Sequence, residues 1–176
     1  AVLYAPTWRD DLATNYRNAE MAQHIDLEDA SEALGPEFVF LMRGHRFHGK
    51  AESRHGSARL IDVTHYPEIN DLILAADAAV LDYSSLRFDF ALTRLPMIFR
   101  VPDLADYTGS VRGFLYDFAP SAPGPLLDTP EQVIAALRDL PGVSREFHDA
   151  YERFHQTYNY LQDGRSAIRV VDHFFE

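Results

Sequence analysis

The stretch AAVLDYSSLRFDFAL, residues 78–92, passes from a short apolar run into a helical pattern. Its first four residues are typical of a buried strand, and the polar turn at 82–85 leads into the helix. Four further apolar runs alternate with helical patterns in the same way, at 2–5, 38–42, 58–63 and 96–101. That alternation predicts an α/β fold with a doubly wound parallel sheet.

Several helical patterns also carry signals at their ends. Pro67 suits a first helical turn, and apolar residues recur at helical spacing over 69–76. Thr129 and Gln132 form a capping-box pattern around Pro130. The sequence further predicts two C-terminal helices, at 144–160 and 165–175.

Length and composition limit the class of protein. The chain has 176 residues, 47% of them hydrophobic, which predicts a single domain over 1–176. A net charge of −11 argues against a nonspecific nucleic-acid surface, and no window approaches the roughly 18 apolar residues of a membrane span. There is no cysteine, so thiolate metal sites are excluded. The start, AVLYAPTW, lacks an initiator Met, and we expect a fragment of a longer protein.

The segment GHRFHGKA at 44–51 superficially matches the P-loop of nucleotide hydrolases. A P-loop needs Ser or Thr after its lysine, but Ala51 follows Lys50, and the inner residues of the segment are bulky. His45 and His48 lack a third ligand at a spacing that would complete a zinc site. The sequence therefore predicts neither a P-loop nor a metal site.

Polar residues follow the first two apolar runs, where ligands bind in doubly wound sheets. Thr7 and Arg9 come after the first run, and a hydroxyl with a guanidinium suits an anion, although a plain surface turn is the alternative. Arg43, Gly44 and His45 come after the second run. Gly44 permits close ligand approach, Arg43 can neutralise phosphate, and His45 can hydrogen-bond or transfer a proton near neutral pH.

The turn at 82–85 and the loop around Arg112 supply the remaining candidates. Ser84 and Ser85, with the free N–H groups of the first helical turn, would converge on an anion such as a diphosphate. Asp89, four residues after Ser85, would share its helix face and accept a hydrogen bond from a ligand hydroxyl. Simple capping by Ser84 is the alternative. Arg112 lies between glycines, and an ordinary loop is its alternative.

Taken in order, these segments resemble the carboxy-terminal domain of the CDP-glycerol glycerophosphotransferase family, the transferases of teichoic acid and cell-wall biosynthesis. The resemblance rests on YAPTWRD at 4–10, RGH at 43–45, DVTHYPEINDLILAADAAVLDYSSLRFDFALTRLPMIF at 62–99, RGFLYDF at 112–118, PGP at 123–125 and DGRSAIRVVD at 163–172.

The resemblance implies the Rossmann-like C-terminal half of a GT-B architecture, which binds the nucleotide donor. It implies transfer of glycerol phosphate from CDP-glycerol, or of ribitol phosphate from CDP-ribitol, to a polyol-phosphate acceptor, with release of CMP and no cofactor. His45 and Arg43 would act catalytically on the diphosphate. The implied donor-binding residues are Thr7, Arg9, Gly44, Ser84, Ser85, Asp89 and Arg112.

The same resemblance implies what the chain lacks. The acceptor side and the general base would belong to an amino-terminal domain absent from these residues, so we expect donor binding with little turnover. The sequence of the loop after RGH differs from the usual sequence of the family. The resemblance implies a cytoplasmic protein, or one peripheral at the inner face of the plasma membrane in its full-length form, with no nucleic-acid partner.

Two alternatives remain open on the sequence. One is a GT-B glycosyltransferase that uses a nucleotide sugar, with Glu68 as the carboxylate for sugar hydroxyls. The other is a non-catalytic module that binds a cytidine nucleotide. These residues do not distinguish CDP-glycerol from CDP-ribitol as the donor, and they do not identify the acceptor. They also do not distinguish priming from polymerising activity.

Overall fold

The protein is described here from a computed structural model, which covers residues 1–7, 13–15, 18–19, 24–44, 58–111 and 113–175. In chain order its strands are β1 (Val2–Ala5), β2 (Ala13–Asn15), β3 (Asn18–Ala19), β4 (Phe40–Met42), β5 (Leu60–Asp62), β6 (Ala78–Leu81), β7 (Met97–Arg100) and β8 (Leu126–Leu127). The helices are α1 (Leu27–Leu34), α2 (Ile69–Ala75), α3 (Leu86–Phe90), α4 (Leu104–Asp106), α5 (Phe118–Ser121), α6 (Pro130–Arg138), α7 (Leu140–Glu146), α8 (His148–Tyr158) and α9 (Ser166–Phe175).

Six strands form one sheet in the order β5-β4-β1-β6-β7-β8. Every adjacent pair is parallel. The chain builds outward from β1 to β4 and β5, then crosses back to β6 and builds outward on the other side through β7 and β8. The order therefore reverses between β1 and β6, as in Rossmann-like sheets. The predicted doubly wound parallel sheet is confirmed.

Alternate residues of the central strands face two separate cores, as the period of a β-strand requires. Leu3, Leu81 and Phe99 belong to the core beneath α2, α3 and α8. Val2, Val80 and Ile98 belong to the core beneath α1 and α6. These central strands are covered on both faces, which is why they read as continuous apolar runs rather than alternating ones.

Most of the predicted elements are confirmed, with shifted ends. The capping box of α6 is present, because the Thr129 hydroxyl accepts from the Gln132 N–H and the Gln132 side chain accepts from the Thr129 N–H. The helix predicted to start at Pro67 starts two residues later, because Glu68 caps it instead. The predicted helix at 144–160 is two helices, α7 and α8, which meet at Phe147.

Candidate functional site

The candidate site begins where β1 and β6 end, at the reversal point of the sheet. The carboxylate of Asp82, only 2% exposed, accepts the backbone N–H of Thr7 at 2.8 Å and 3.0 Å from its two oxygens, and the Thr7 hydroxyl at 2.5 Å. It also accepts the Ser84 N–H at 3.3 Å. One buried carboxylate thus holds together the segments that leave two adjacent strands.

The predicted hydroxyl and carboxylate groups line the start of α3. The Ser84 hydroxyl accepts the Leu86 N–H at 3.2 Å, so the capping alternative holds for Ser84. A serine that accepts in this way still carries a hydrogen to donate to a ligand oxygen. Ser85 and Asp89 are exposed, and Ser85 makes no capping bond of its own. The structure therefore leaves two hydroxyls and one carboxylate available at this end of α3.

Arg43 and Gly44 leave β4, the strand on the other side of β1. The backbone N–H of Arg43 donates to Tyr4 at 2.8 Å, and its Nη1 donates to the carbonyl of Val63 at 2.8 Å and to that of Tyr66. These carbonyls orient a half-buried guanidinium, for which the described residues offer no paired carboxylate. Its charge is therefore not neutralised by an ion pair within the described part of the chain.

Three adjacent strands, β4, β1 and β6, end at the same side of the sheet, called here the carboxyl edge. The residues that follow these strand ends there are Thr7, Arg43, Gly44, Ser84 and Ser85. The sequence predicted that edge. Thr7 differs from the prediction in one respect: its single hydroxyl hydrogen points to Asp82, which leaves it only as an acceptor towards a ligand. Arg9, His45 and Arg112, the other predicted site residues, lie outside the described residues.

Two residues of this edge were missed as site residues. Asp82 is the carboxylate described above, and Thr64 is a buried threonine whose hydroxyl accepts the Gly44 N–H at 3.0 Å. Asp82 could have been found, since a charged residue directly after a buried strand requires hydrogen-bond partners. Nothing local in the sequence pairs Thr64 with Gly44, which lies 20 residues away.

An aromatic group braces the turn after β6. The ring of Tyr83 stacks on Tyr107 with centroids 4.0 Å apart and meets Phe114 and Phe118 edge-on. Its hydroxyl donates to Asp103 at 2.8 Å. The turn that carries Ser84 is therefore fixed by packing as well as by Asp82, which preorganises it for a ligand.

The chemistry of this edge is that of an anion site. Within the described ranges no group of three or more His, Asp or Glu side chains is placed to hold a metal ion. Hydroxyls, backbone N–H groups and an oriented arginine suit phosphate oxygens, and a carboxylate suits an alcohol. A doubly wound sheet with such groups at its reversal point is an arrangement typical of nucleotide-binding domains.

The match to known proteins covers the whole sequence. Residues 1–176 match the family described as CDP-Glycerol:Poly(glycerophosphate) glycerophosphotransferase, and the chain belongs to that family. The resemblance inferred from the six sequence segments is thereby confirmed.

Relatives and solved structures agree with this assignment. The chain is 34% identical, over 99% of its length, to the teichoic acid glycerol-phosphate transferase of Staphylococcus aureus (strain NCTC 8325 / PS 47), of which it covers 45%. It is also 34% identical to the teichoic acid poly(glycerol phosphate) polymerase of Bacillus subtilis (strain 168), covering 99% of this chain and 24% of the polymerase. The solved structure of the wall teichoic acid polymerase TagF superimposes with a TM-score of 0.84, at 28% identity over 97% of this chain and 41% of TagF. A TagF variant soaked with CDPG superimposes with a TM-score of 0.85.

The chain spans less than half the length of each of these relatives. Among the described residues, no helix is both long enough and apolar enough to cross a membrane.

Proposed function

We propose that this chain is the donor-binding domain of a CDP-glycerol glycerophosphotransferase. The full enzyme transfers glycerol phosphate from CDP-glycerol to a polyol-phosphate acceptor and releases CMP. The observation that carries the proposal is the placement of Arg43 and of Ser84 and Ser85 after the carboxyl ends of β4 and β6, the two strands that flank β1, in a chain that belongs to this family throughout its length.

In this proposal each group meets the part of the donor that suits its chemistry. The Ser84 and Ser85 hydroxyls donate to diphosphate oxygens, and Arg43 stabilises their charge. Asp89 accepts a hydrogen bond from a glycerol hydroxyl. Phosphoryl transfer depends mainly on positioning and charge stabilisation, and these residues can supply both. From the sequence alone, His45 and Arg112 would add to the same site.

We further propose that the acceptor and the general base are bound or supplied by a domain outside these 176 residues, in a GT-B arrangement. The short span relative to the known transferases supports this division. The full-length protein would then work in the cytoplasm or at the inner face of the plasma membrane, where a soluble donor meets a growing polymer.

A nucleotide-sugar glycosyltransferase is the competing enzyme class. Its proposed sugar-binding carboxylate, Glu68, is engaged as the cap of α2, where it accepts from both the backbone and the side-chain amide of Asn70 at 2.9 Å. Both bonds go to Oε1, so helix capping accounts for this carboxylate without a sugar ligand. The polyol-phosphate donor is favoured for that reason.

Calorimetric titration of the chain with CDP-glycerol, CDP-ribitol and a UDP-sugar tests the proposal. We expect saturable binding of CDP-glycerol and no binding of the UDP-sugar. Preference for CDP-ribitol would change the donor but keep the class of enzyme. Preference for the UDP-sugar would replace the proposal with the glycosyltransferase. If CDP-glycerol binds but is not turned over, even when the proposed acceptor domain is present, the chain would be a non-catalytic nucleotide-binding module.

A further inference from the structure

Arg87 is the largest fully buried side chain of the described residues, with 0% of its surface exposed. It points away from solvent into a cage of four aromatic rings. Its guanidinium carbon lies 4.6 Å from the ring centre of Phe118, 5.0 Å from those of Phe88 and Tyr116, and 5.5 Å from that of Phe154. These are distances at which a cation interacts with the face of an aromatic ring.

No carboxylate among the described residues pairs with this guanidinium, and its Nε and Nη1 have no hydrogen-bond partner there. Its Nη2 makes one long contact, 3.5 Å to the Ser121 hydroxyl. Burial lowers the pKa of Arg87, while Tyr116 acts in the opposite direction. An arginine nevertheless stays protonated in proteins, so the core contains a positive charge beside which the described residues place no opposite charge.

Such a charge is costly, since a buried ion that lacks a counter-ion destabilises the fold. The four ring faces offset part of this cost. An apolar side chain of similar volume would pack among the same rings without the cost, so stability alone does not explain an arginine at this position. The field of a buried and unneutralised charge, however, extends to nearby anions with little screening by salt.

Arg87 belongs to the short helix that begins at the candidate site. Arg87 lies two residues after Ser85 on the short helix α3, and its backbone N–H donates to the carbonyl of Ser84 at 3.4 Å. Two residues correspond to about 3 Å along a helix axis. Ser85 is exposed whereas Arg87 is buried, so the charge lies beneath the surface that carries the hydroxyls.

We propose that Arg87 strengthens diphosphate binding from beneath the site, through its charge and without touching the ligand. The bound anion is the counter-charge that the described residues do not supply in the cage. This role rests on the proposed function, because it requires an anionic donor at Ser84 and Ser85. It differs from a packing role, in which Arg87 would only fill space between α3, α5 and α8.

Charge and packing can be separated by two substitutions in the same cage. Arg87→Met removes the charge and keeps most of the volume, so we expect an unchanged or raised melting temperature. We also expect about three- to tenfold weaker binding of CDP-glycerol, the size of an interaction between charges on the order of 10 Å apart in a protein. Phe154→Leu keeps the charge and loosens the cage. It should lower the melting temperature by about 3–6 °C and leave CDP-glycerol affinity within about twofold.

The measurements are calorimetric titration with CDP-glycerol and thermal unfolding without ligand, for the wild-type chain and both variants. A wild-type chain that binds no CDP-glycerol would overturn the proposed function and this role together. If the wild-type chain binds and Arg87→Met binds equally well, only the role of Arg87 is overturned. If Phe154→Leu loses as much affinity as Arg87→Met, Arg87 acts through packing and the charge proposal is wrong.

Discussion

At the scale of single residues, Asp82 couples the fold to the candidate site. Its buried carboxylate receives N–H groups from the ends of two strands and the hydroxyl of Thr7, so it keeps the loop after β1 beside the turn after β6. Three donors converge on one anion, an arrangement that a neutral side chain with one acceptor atom cannot reproduce. The groups proposed to bind the donor are therefore positioned by a residue that need not contact it.

We expect Asp82→Asn to lower the free energy of unfolding by about 1.5–3 kcal/mol, the range for a hydrogen bond to a charged group, because the new amide group directs donors at donors. Urea denaturation measures this loss. Asp62→Asn is the matched control, since Asp62 is exposed and accepts a single N–H, from Thr64 at 2.9 Å. Equal losses in the two variants would contradict the coupling role of Asp82.

Arg43→Ala should weaken CDP-glycerol binding by about 1.5–3 kcal/mol, because it removes a hydrogen bond between charged groups. It should also cost about 1 kcal/mol of stability, because Arg43 donates to two backbone carbonyls. Arg59→Ala is the control. Arg59 likewise donates to two carbonyls, those of Ser31 and Gly35 at 2.6 Å each, but it precedes β5 and so lies at the amino ends of the strands, away from the candidate site. Titration of both variants with CDP-glycerol should show a loss for Arg43→Ala alone.

At the scale of elements, the segment that precedes β8 passes very close to β7. This close contact explains the glycine of the PGP stretch. A Cβ on Gly124 would lie 1.9 Å from the carbonyl oxygen of Met97, which is backbone and cannot rotate away. The next residue, Pro125, offers its carbonyl to the N–H of Phe99 at 2.9 Å, so β8 continues the sheet from this contact. Only glycine allows the chain to enter the sheet edge at this point.

Gly124→Ala should therefore lower the free energy of unfolding by about 3 kcal/mol or more, at or beyond the upper end of the usual cost of overpacking. The urea midpoint is the measurement. Gly109→Ala provides the control, because a Cβ there meets no atom within 4 Å and the backbone does not have a positive φ. If both variants unfold at the wild-type midpoint, the close contact at Met97 is not present in the folded protein.

At the scale of the whole molecule, two cores under the two faces of the sheet account for the packing, and α9 belongs to neither. No residue of α9 is buried, and its large apolar side chains are about half exposed or more, including Phe174 and Phe175 at 71% and 81%. The last residue fixed to the domain is Asn159, which is buried and donates to the carbonyl of Phe88 at 2.8 Å.

Removal of residues 165–176 should therefore leave the free energy of unfolding within about 0.5 kcal/mol of the wild-type value, as for surface changes. Asn159→Ala should cost about 1–3 kcal/mol, because it leaves the carbonyl of Phe88 without its partner. Urea denaturation of the two variants gives both values. A truncated chain that is clearly less stable than the full chain would mean that α9 packs on the domain in solution.

The fold class followed from the sequence because its cause is local. Strands covered on both faces must be apolar throughout, as at 78–81, and helices show apolar residues at their own spacing, as at 69–76. The capping box at Thr129 was equally readable, because its partners lie three residues apart. The strands β2, β3 and β8 were missed because they have two or three residues and no longer apolar run around them that would mark a strand.

The sequence alone also determined which edge of the sheet carries the candidate site, since all parallel strands end at the same edge. Only the tertiary structure decided what Thr7 and Arg43 contact. Thr7 meets Asp82 across 75 residues of chain, and Arg43 meets Val63 across 20. It likewise decided that Arg87 is buried among rings from three segments rather than exposed on a short helix. Contacts between residues distant in sequence depend on how elements pack, and no local pattern encodes that packing.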